Sequence, residues 1–428
     1  MKTFKEHNLF KWREVRLGDV ARIRRGASPR PIDNPRWFAE SGPGWVRISD
    51  VTRSNGRLRV TEQYLSQDGI DRSVRVGRGD VIMSICATIG EPVIIEMDAC
   101  IHDGFVVFDQ FENLLDRHFL LHLLRKIAPE FKASGQTGTQ ANLNTGIVNG
   151  KVVAIPSEVF EQSRIAAVLD TVDEAIAKTE AVIAKLKQVR ASLLHDLLTR
   201  GLDENGQLRD PIAHPEQFQD SPIGRIPRGW FCEPLGKHTV SSAYGPRFPG
   251  ECYSERGNVA LLRTTDMDEA GNLALEQMPL ANLILDEFRS HFLEIGDFLI
   301  SRSGTCGIGS VFPGFRIPVL PGAFLIRFRL VTTLLPEFLR LYVNSEAGAK
   351  RVSDLAEGGV QKNIRGSALL THLIPVPPTA EQQVILSYVR SVDIKAAVEQ
   401  ASLGKLRELK SALMADLLTG RVRVPASL

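Results

Sequence analysis

The sequence of 428 residues predicts an α+β protein that contains two mixed α/β, mostly β modules and two long helices that form an antiparallel coiled coil. Three observations lead to this fold class. Segments half a chain apart are near copies, two of the copied segments have apolar residues at coiled-coil spacing, and the rest of each copy holds short β-rich runs. A chain of this length also exceeds what one ordinary core can organise.

The copies define a single duplication. The stretch "SLLHDLLTRGL" from Ser192 is answered by "ALMADLLTGRV" from Ala412, and from Glu161 onward the two helical segments align at a constant offset of 220 residues. Outside the helices, "GDVIMS" from Gly79 is answered by "GDFLIS" from Gly296. We therefore expect the order module, helix, module, helix, with an internal pseudo-twofold repeat.

The two helical segments carry a coiled-coil seam, because their apolar residues alternate steps of four and three. The seam residues are Ile165, Leu169, Val172, Ile176, Ile183, Leu186, Leu193 and Leu197 in the first helix, and Ile385, Val389, Val392, Leu403, Leu406, Leu413 and Leu417 in the second. Since a single helix cannot bury such a seam, each helix is expected to pack against its own copy.

Polar residues interrupt both seams at matching places, Thr179 and Arg190 in the first helix and Glu399 and Lys410 in the second. An antiparallel register that puts Arg190 opposite Glu399 also puts Thr179 opposite Lys410, so each break would meet a polar partner. The alternative is that the breaks simply face solvent. Gly404 lies inside the second helix and is expected to weaken its continuity.

These features give the expected domain boundaries. The segments are a first module at 1–155, a first spacer helix at 156–201, a linker at 202–229, a second module at 230–374, and a second spacer helix with a C-terminal tail at 375–428. Gly201 and Gly420 follow the two Leu-Leu-Thr runs and are typical helix stops. The linker is rich in Pro, Gly and charge, as ordered-to-flexible connections are.

Polar, glycine-bearing loops lie between the β-rich runs of both modules. Their candidate donors are Arg24, Arg25, Arg30 and Thr88 in the first module and Tyr244, Arg247, Arg302, Ser303 and Thr305 in the second. Such side chains bind phosphates or read base edges, and two similar readers suit a duplex with two separated half-sites. The bland alternative is that polar turns look like this in any β-rich protein.

Motifs for catalysis are missing. The sequence has no GxxxxGK[ST], HExxH or GxSxG pattern, and "GTCGIGS" from Gly304 does not fit GxGxxG. The neighbouring pairs His102–Asp103 and His195–Asp196 are expected to be structural. We therefore expect no catalytic residue, no metal ligand and no cofactor in this chain. A self-sufficient DNA methyltransferase or nuclease, and a coiled-coil scaffold without DNA binding, remain the alternatives.

Composition points to a cytoplasmic location. The five cysteines form no CxxC pair, as expected in a reducing compartment. No apolar run is long enough to cross a bilayer, so no membrane is expected as a partner, and no signal peptide is expected. Of the 52 basic residues, 37 are Arg, a side chain suited to phosphates and guanine edges, although a GC-rich genome would produce the same bias.

The order of module, "EQ…I…VD…KL…DLLT" helix, "SPIGRIPRGW", module and helix resembles the specificity subunit of type I restriction–modification systems, over nearly the whole chain. The resemblance implies that the modules are target-recognition domains, each reading half of a split and asymmetric DNA sequence. It implies that the helices act as a ruler and dock two adenine-N6 methyltransferase subunits, which motor–endonuclease subunits join. S-adenosylmethionine would then belong to the methyltransferase, and ATP and Mg to the motor–endonuclease.

The resemblance also locates residues near DNA. They are Arg47, Ser84, Gln140 and Asn142 in the first module and Arg263, Ser301, Gln361 and Asn363 in the second. One departure stands out: the loop "ICATIG" after Ser84 lacks the Arg-Ser of "RSGTCGIG" after Ser301. The resulting expectation is a noncatalytic DNA-recognition subunit that gives a methyltransferase–nuclease complex its target.

Overall fold

The computed structural model describes residues 12–111, 114–134, 143–358 and 362–425. Contacts divide the chain into two units. Unit 1 draws on the chain up to Ile183 and again from Glu399 onward, and unit 2 comprises Ala184–Val398. Each unit therefore holds one module and one end of each long helix.

The module of unit 1 alternates short strands and helices. Its strands are β1 (Trp12–Arg16), β2 (Arg22–Arg25), β3 (Phe38–Val46), β4 (Arg57–Leu58), β5 (Gln63–Leu65), β6 (Val74–Val76), β7 (Val81–Ser84), β8 (Pro92–Ile95), β9 (Ala99–Ile101), β10 (Phe105–Asp109) and β11 (Val152–Pro156). Its helices are α1 (Leu17–Val20), α2 (Ile48–Arg53), α3 (Gln67–Ile70), α4 (Arg117–Ser134) and α5 (Thr145–Gly150), followed by the long helix α6 (Val159–Thr199).

Unit 2 repeats this order. Its strands are β12 (Phe218–Ser221), β13 (Gly224–Pro227), β14 (Phe231–Pro234), β15 (Thr239–Tyr244), β16 (Val259–Leu262), β17 (Leu280–Ala281), β18 (Phe298–Ser301), β19 (Gly309–Val311), β20 (Val319–Pro321), β21 (Leu325–Leu330) and β22 (Leu373–Val376). Its helices are α7 (Pro336–Val343), α8 (Glu346–Ser353) and α9 (Gly366–Thr371), followed by the long helix α10 (Thr379–Leu417).

Two main sheets form each module. Unit 1 has a sheet of order β2-β10-β7-β8-β4 and one of order β5-β3-β9-β6, and unit 2 has the matching sheets β15-β21-β18-β19 and β17-β16-β20. In both units one pair of strands in the smaller sheet is parallel, β3 with β9 and β16 with β20. A two-stranded ladder joins the first and last strands of each module, β1 with β11 and β14 with β22.

The motif "GDVIMS" folds as a strand that is buried on both faces. Along β7, Val81 and Met83 join the core cluster formed with α4, while Ile82 joins the cluster formed with the smaller sheet. In β18, Phe298 and Ile300 point to one cluster and Leu299 to the other. Because successive side chains of a strand alternate faces, a strand between two cores must be apolar throughout.

Ends of both long helices pair in each unit. In unit 1, Glu180 binds Arg407 at 2.7 Å and Asp173 binds Lys410 at 2.5 Å, so the numbering falls along α6 as it rises along α10. The same antiparallel course holds in unit 2, where Leu197 and Leu198 of α6 share a core with Ile385 of α10.

Every predicted seam residue is buried or half-buried. The helix α10 continues through Gly404, whose Cβ position is open to solvent.

The predicted register of the helix pair is wrong. Arg190 binds Asp393 at 2.5 Å, six positions before the Glu399 that we expected as its partner. Lys410 likewise pairs with Asp173 rather than lying opposite Thr179. Arg190 and Lys410, the basic residues that interrupt the seams, each bind an aspartate that directly follows a seam valine. Neither of them binds the polar residue that interrupts the opposite seam. The two ion pairs occupy matching positions of the repeat.

The recurring "DLLT" ends have a shared structural reason. Gly201 and Gly420 adopt φ of +60° and +72°, and an added Cβ would lie 2.7 Å from Trp230 and 2.8 Å from Trp12, respectively. Each long helix therefore ends on a glycine that lies against the tryptophan at the start of a module. The segment expected to be a linker forms the β12–β13 hairpin and an ion pair of 2.8 Å between Arg209 and Glu381.

Candidate nucleic-acid interface

Three loops meet at one edge of each module. Rim 1 consists of residues 26–37, 85–91 and 102–104 of unit 1, and rim 2 of residues 245–258, 302–308 and 322–324 of unit 2. In rim 1 the Ile85 N–H donates to the Gly104 carbonyl at 2.8 Å. In rim 2 the matching bond runs from Arg302 to Phe324 at 2.9 Å. The two rims thus share a backbone framework.

A buried serine shapes the central loop of each rim. The Ser84 hydroxyl donates to the Thr88 carbonyl and accepts from the Glu91 N–H at 3.1 Å. The Ser301 hydroxyl donates to the Thr305 carbonyl at 2.5 Å and accepts from the Ile308 N–H at 2.9 Å. Both side chains are buried and their hydroxyls bind the loop, so they shape the rim, and a DNA contact by Ser84 and Ser301 stays a prediction.

Rim 1 gathers several candidate donors around one carboxylate. The Ser28 hydroxyl donates to Asp103 at 2.5 Å, and Arg30 forms an exposed ion pair with it at 3.1 Å. Arg25, which ends β2 directly before rim 1, donates to the Asp103 backbone carbonyl at 2.8 Å. The hydrogen bond from Ser28 is the main cause that lowers the pKa of Asp103. Rim 1 is therefore a mixed surface of arginines with one fixed acid.

His102 contributes shape rather than charge to rim 1. Its ring lies 4.7 Å from Phe105 and 5.8 Å from Trp45, between ring centroids, and its Nδ1 accepts from the Gly104 N–H at 2.9 Å. Burial, with help from Arg47, lowers the pKa of His102 to about 4. The imidazole is thus neutral near pH 7, as expected for a structural histidine.

Some predicted donors already have acidic partners. Arg24 donates two hydrogen bonds, of 2.6 and 3.1 Å, to Asp109, which Arg22 also binds. Burial opposes ionisation of Asp109, but these arginine bonds outweigh it and hold its pKa below the ordinary value. Arg263 likewise donates to both oxygens of Asp266, at 3.1 and 2.7 Å. Their charges are largely balanced within the protein.

Arg47 starts the turn after β3 in the same way that Arg263 starts the turn after β16. The Arg47 N–H donates to Asp50 at 2.9 Å and the Arg263 N–H donates to Asp266 at 2.8 Å. The Arg47 side chain, however, donates to the amide oxygen of Gln63 at 3.0 Å, and no described carboxylate binds its guanidinium. Arg47 therefore remains the better candidate of the two for DNA.

Rim 2 combines arginine with exposed aromatic rings. A cavity of about 550 Å³ lies beside it, and its wall includes Arg247, Tyr253 and Phe324. The Phe324 side chain is 53% exposed, and Arg247 is exposed without a hydrogen bond to any described residue. The Arg302 guanidinium lies 4.7 Å from the centre of the Tyr244 ring. Cation, π-face and cavity are therefore adjacent on this surface.

The remaining predicted contacts differ in accessibility. Thr88 and Thr305 are exposed at the loop tips, whereas Ser303 is buried and Asn363 is half-buried. The Asn363 backbone pairs with Glu357 and bridges to Ser303, so its side chain lies beside the loop. Gln140, Asn142 and Gln361 lie outside the described residues. Contact of the exposed residues with DNA stays a prediction.

Sequence reasoning missed the exposed ring of Phe324 and the carboxylates that bind the arginines. Aligning the turn after β9 with the turn after β20 would have shown Phe324 standing where the first module has Gly104. No comparable signal reveals Asp109, which is 85 positions from Arg24.

Among the described residues, no group of three His, Cys, Asp or Glu side chains is placed to hold a metal ion, and no helix is long and apolar enough to span a membrane.

Comparison with known families assigns the class of protein. A family model described as the type I restriction modification DNA specificity domain matches residues 10–188 and, a second time, residues 241–408. These two matches cover well over half of the chain and follow its internal repeat. The chain therefore belongs to the type I restriction–modification DNA specificity family, and its role is that of a noncatalytic DNA-recognition subunit.

Similar proteins extend along almost the whole chain. The type I restriction enzyme MjaVIII specificity subunit of Methanocaldococcus jannaschii is 23% identical over 428 residues, covering 96% of this chain and 93% of that protein. The type I restriction enzyme EcoBI specificity subunit of Escherichia coli is 21% identical over 429 residues, covering 96% of this chain and 86% of that protein.

Solved structures share the fold at low identity. A chain from a study of complex assembly and conformational transition of the type I R-M system has a TM-score of 0.58 at 19% identity, covering 95% of this chain and 97% of that one. The type I S subunit from M. genitalium has a TM-score of 0.55 at 14% identity, covering 96% and 97%. The predicted family, the α+β fold and the DNA-recognition role are confirmed.

Proposed function

We propose that the chain reads a split, asymmetric DNA target, with rim 1 contacting one half and rim 2 the other. The observation that carries this proposal is the occurrence of the same loop framework in both units with different residues at matching positions. Rim 2 presents Arg302 and Phe324 where rim 1 has Ile85 and Gly104. Equal frameworks with unequal side chains favour two half-sites of different sequence.

Partner binding is the second part of the proposal. Two adenine-N6 methyltransferase subunits dock on the long helices, and motor–endonuclease subunits join that complex. The helices expose apolar side chains that an isolated chain has no reason to display, among them Val189 and Leu409 at matching positions of the repeat. The solved relative concerned with complex assembly agrees with this proposal.

Cofactors and location follow from the partners. S-adenosylmethionine is assigned to the methyltransferase subunits, and ATP and Mg to the motor–endonuclease, while this chain binds none of them. The complex acts on genomic and incoming duplex DNA, so we place it in the cytoplasm. Arginine contacts with phosphates make the binding strongly dependent on salt, because each neutralised phosphate releases counterions.

Methylome sequencing tests the proposal. The chain is expressed with its methyltransferase partner in cells that lack other adenine methylation, and N6-methyladenine is mapped. The expected result is one motif of two different half-sequences that are separated by a fixed number of unspecified base pairs. A continuous motif, or two identical halves, would contradict the proposal. Expression of the methyltransferase without this chain is the control and should leave the genome unmethylated.

A further inference from the structure

The central loops of the two rims differ at one position that matters for base reading. Residues 84–91 and 301–308 share the buried serine and its two hydrogen bonds, and both give the fourth residue a positive φ, +54° at Ala87 and +76° at Gly304. The residue after the serine is Ile85 in rim 1, where it is buried, and Arg302 in rim 2, where it is half-buried.

Arg302 is fixed at its backbone. Its N–H donates to the Phe324 carbonyl and its own carbonyl accepts from the Ile364 N–H, each at 2.9 Å. The Cys306 thiol donates to the same carbonyl at 3.1 Å. Bonds from three neighbouring segments therefore set the position from which the side chain starts.

Arg302 is also restrained at its guanidinium. The group lies 4.7 Å from the centre of the Tyr244 ring, and the Tyr244 hydroxyl accepts from the Gly366 N–H at 2.8 Å. An aromatic ring that is held by its own hydrogen bond gives the planar guanidinium a defined face to stack on. The Tyr244 ring therefore restrains the position of the guanidinium before any ligand binds.

The donors of this guanidinium are unused. No described residue makes an ion pair or hydrogen bond with it, and its Nε is buried without a partner among the described residues. Arg24 and Arg263, in contrast, bind Asp109 and Asp266. Since Nε is enclosed, the two terminal nitrogens are the donors that Arg302 can offer to a ligand.

We propose that Arg302 reads a guanine through its major-groove O6 and N7 in the half-site bound by unit 2, with Tyr244 as the positioning residue. This inference rests on the proposed function of the rims. A bidentate guanidinium–guanine contact requires a guanidinium that is held in place, and the Tyr244 ring 4.7 Å away restrains it. A phosphate contact carries no sequence information, so a repeated framework has no reason to replace it with a buried isoleucine.

Selection of DNA from a pool of random-sequence duplexes by the full chain tests the proposal. Arg302→Ala removes the guanidinium, and Arg302→Lys keeps the charge but removes the planar fork. The wild-type motif should contain a guanine whose preference, on the order of 5- to 150-fold, is lost in both variants. The other half of the motif should be unchanged, which also shows that the variants are folded.

Control variants separate base reading from charge. Arg225 also lies over an aromatic ring, 5.2 Å from the centre of Phe218, but belongs to the β12–β13 hairpin. Arg225→Ala should leave the whole motif intact. Tyr244→Ala should weaken the same single guanine preference, and Tyr244→Phe, which keeps the ring, should restore most of it. A general loss of stability in Tyr244→Ala would instead weaken both halves of the motif.

The outcomes are distinguishable. A uniform loss of affinity in Arg302→Ala with the guanine preference intact would assign Arg302 to a phosphate and overturn the inference. An Arg302→Lys variant that keeps the full preference would overturn it as well. If the wild-type chain selects no motif, the proposed function of the rims fails, and the inference fails with it.

Discussion

In both units a buried glutamine near the start of the long helix makes the same hydrogen bonds to the module, but the units differ two turns further along the helix. Gln162 donates to the Leu114 and Pro156 carbonyls and accepts from the Asp116 N–H, and Gln382 makes the same three bonds to Thr333, Pro377 and Leu335. These buried glutamines fix each long helix to its module. The duplication therefore preserves the joint between module and helix.

Two turns later, unit 1 has a polar network around an aspartate at a position where unit 2 has an arginine. Asp170 accepts hydrogen bonds from His118 at 2.8 Å, His122 at 2.8 Å and Arg57 at 2.9 Å. The matching residue of α10 is Arg390, and it faces solvent. The joints and loop frameworks are thus shared by the two units, while the polar groups around them diverged.

Removing either of the two buried glutamines should reduce the free energy of unfolding more than any other substitution considered for the two units. Gln162→Ala and Gln382→Ala each leave two carbonyls and one N–H buried without partners, at a cost of roughly 3 kcal/mol of unfolding free energy. Urea unfolding, with hydrogen exchange of peptides from each unit to localise the change, measures both. The exposed Gln383→Ala is the matched control and should cost under about 0.5 kcal/mol. Unequal costs at the two sites would break the equivalence of the joints.

The Asp170 network should make unit 1 sensitive to acid. Burial opposes ionisation, but the bonds from His118 and His122 outweigh it and hold the pKa of Asp170 well below its ordinary range. A lowered pKa stabilises the folded state above the unfolded value of about 3.9, and that contribution is lost as the pH falls below it. Asp170→Asn should cost about 2 kcal/mol at pH 7.

The pH dependence of Asp170→Asn tests that account. Its unfolding free energy should fall less steeply than that of the wild type as the pH drops below about 4. Urea unfolding at pH 7, 4 and 3 measures the two slopes, and hydrogen exchange should place the difference in unit 1. Parallel slopes for variant and wild type would show that Asp170 does not carry the acid sensitivity.

The ion pairs of the helix ends should differ in strength. Asp173 binds both Lys410 at 2.5 Å and Arg125 at 2.7 Å, and its side chain is 18% exposed. Asp393 binds Arg190 and no other described residue, and its side chain is 42% exposed. We expect Asp173→Asn to cost about 1.5 kcal/mol and Asp393→Asn about 0.5 kcal/mol, because solvent weakens the exposed pair. Urea unfolding checks the order, and a larger cost for Asp393→Asn would reverse this part of the comparison.

Substitutions in the central loops of the two rims should change the free energy of unfolding least. Ala87 holds a φ of +54° at the place where rim 2 has Gly304. Ala87→Gly should stabilise unit 1 by up to about 0.5 kcal/mol, because glycine adopts this backbone without strain but loses more entropy on folding, and Gly304→Ala should destabilise unit 2 by about 1 kcal/mol. Thermal unfolding of both variants measures the pair. Changes of equal sign would show that the two loops do not share one backbone.

Much of the fold could be predicted because its determinants are local or periodic. The 3.5-residue spacing of apolar residues identified the seam, and the duplicated sequence motifs identified the repeat. The helix register could not be predicted, because a repeating seam fits several registers equally well. The choice depends on flanking carboxylates such as Asp173 and Asp393, which carry no periodic signal.

The site was harder to predict because its chemistry depends on distant partners. Residue type marks Arg24 and Arg302 as equal candidates, yet Arg24 binds Asp109 in another strand, while the Arg302 guanidinium contacts the Tyr244 ring and binds no carboxylate of the described residues. Ser84 is a polar residue that ends a strand and resembles a surface donor. Its burial follows from β7 lying between two cores, which appears only when both sheets are assembled.

Exchanging one module tests directly whether each unit reads its own half of the target. Because both joints are alike, the module at 230–374 can be replaced with residues 12–155 of the same chain, and the methylome of cells that carry this chain with its methyltransferase can be sequenced. The account predicts a motif in which the half-sequence of rim 1 occurs twice and the half-sequence of rim 2 is absent. If the variant with the replaced module still methylated a motif with the original two different halves, the account would be contradicted.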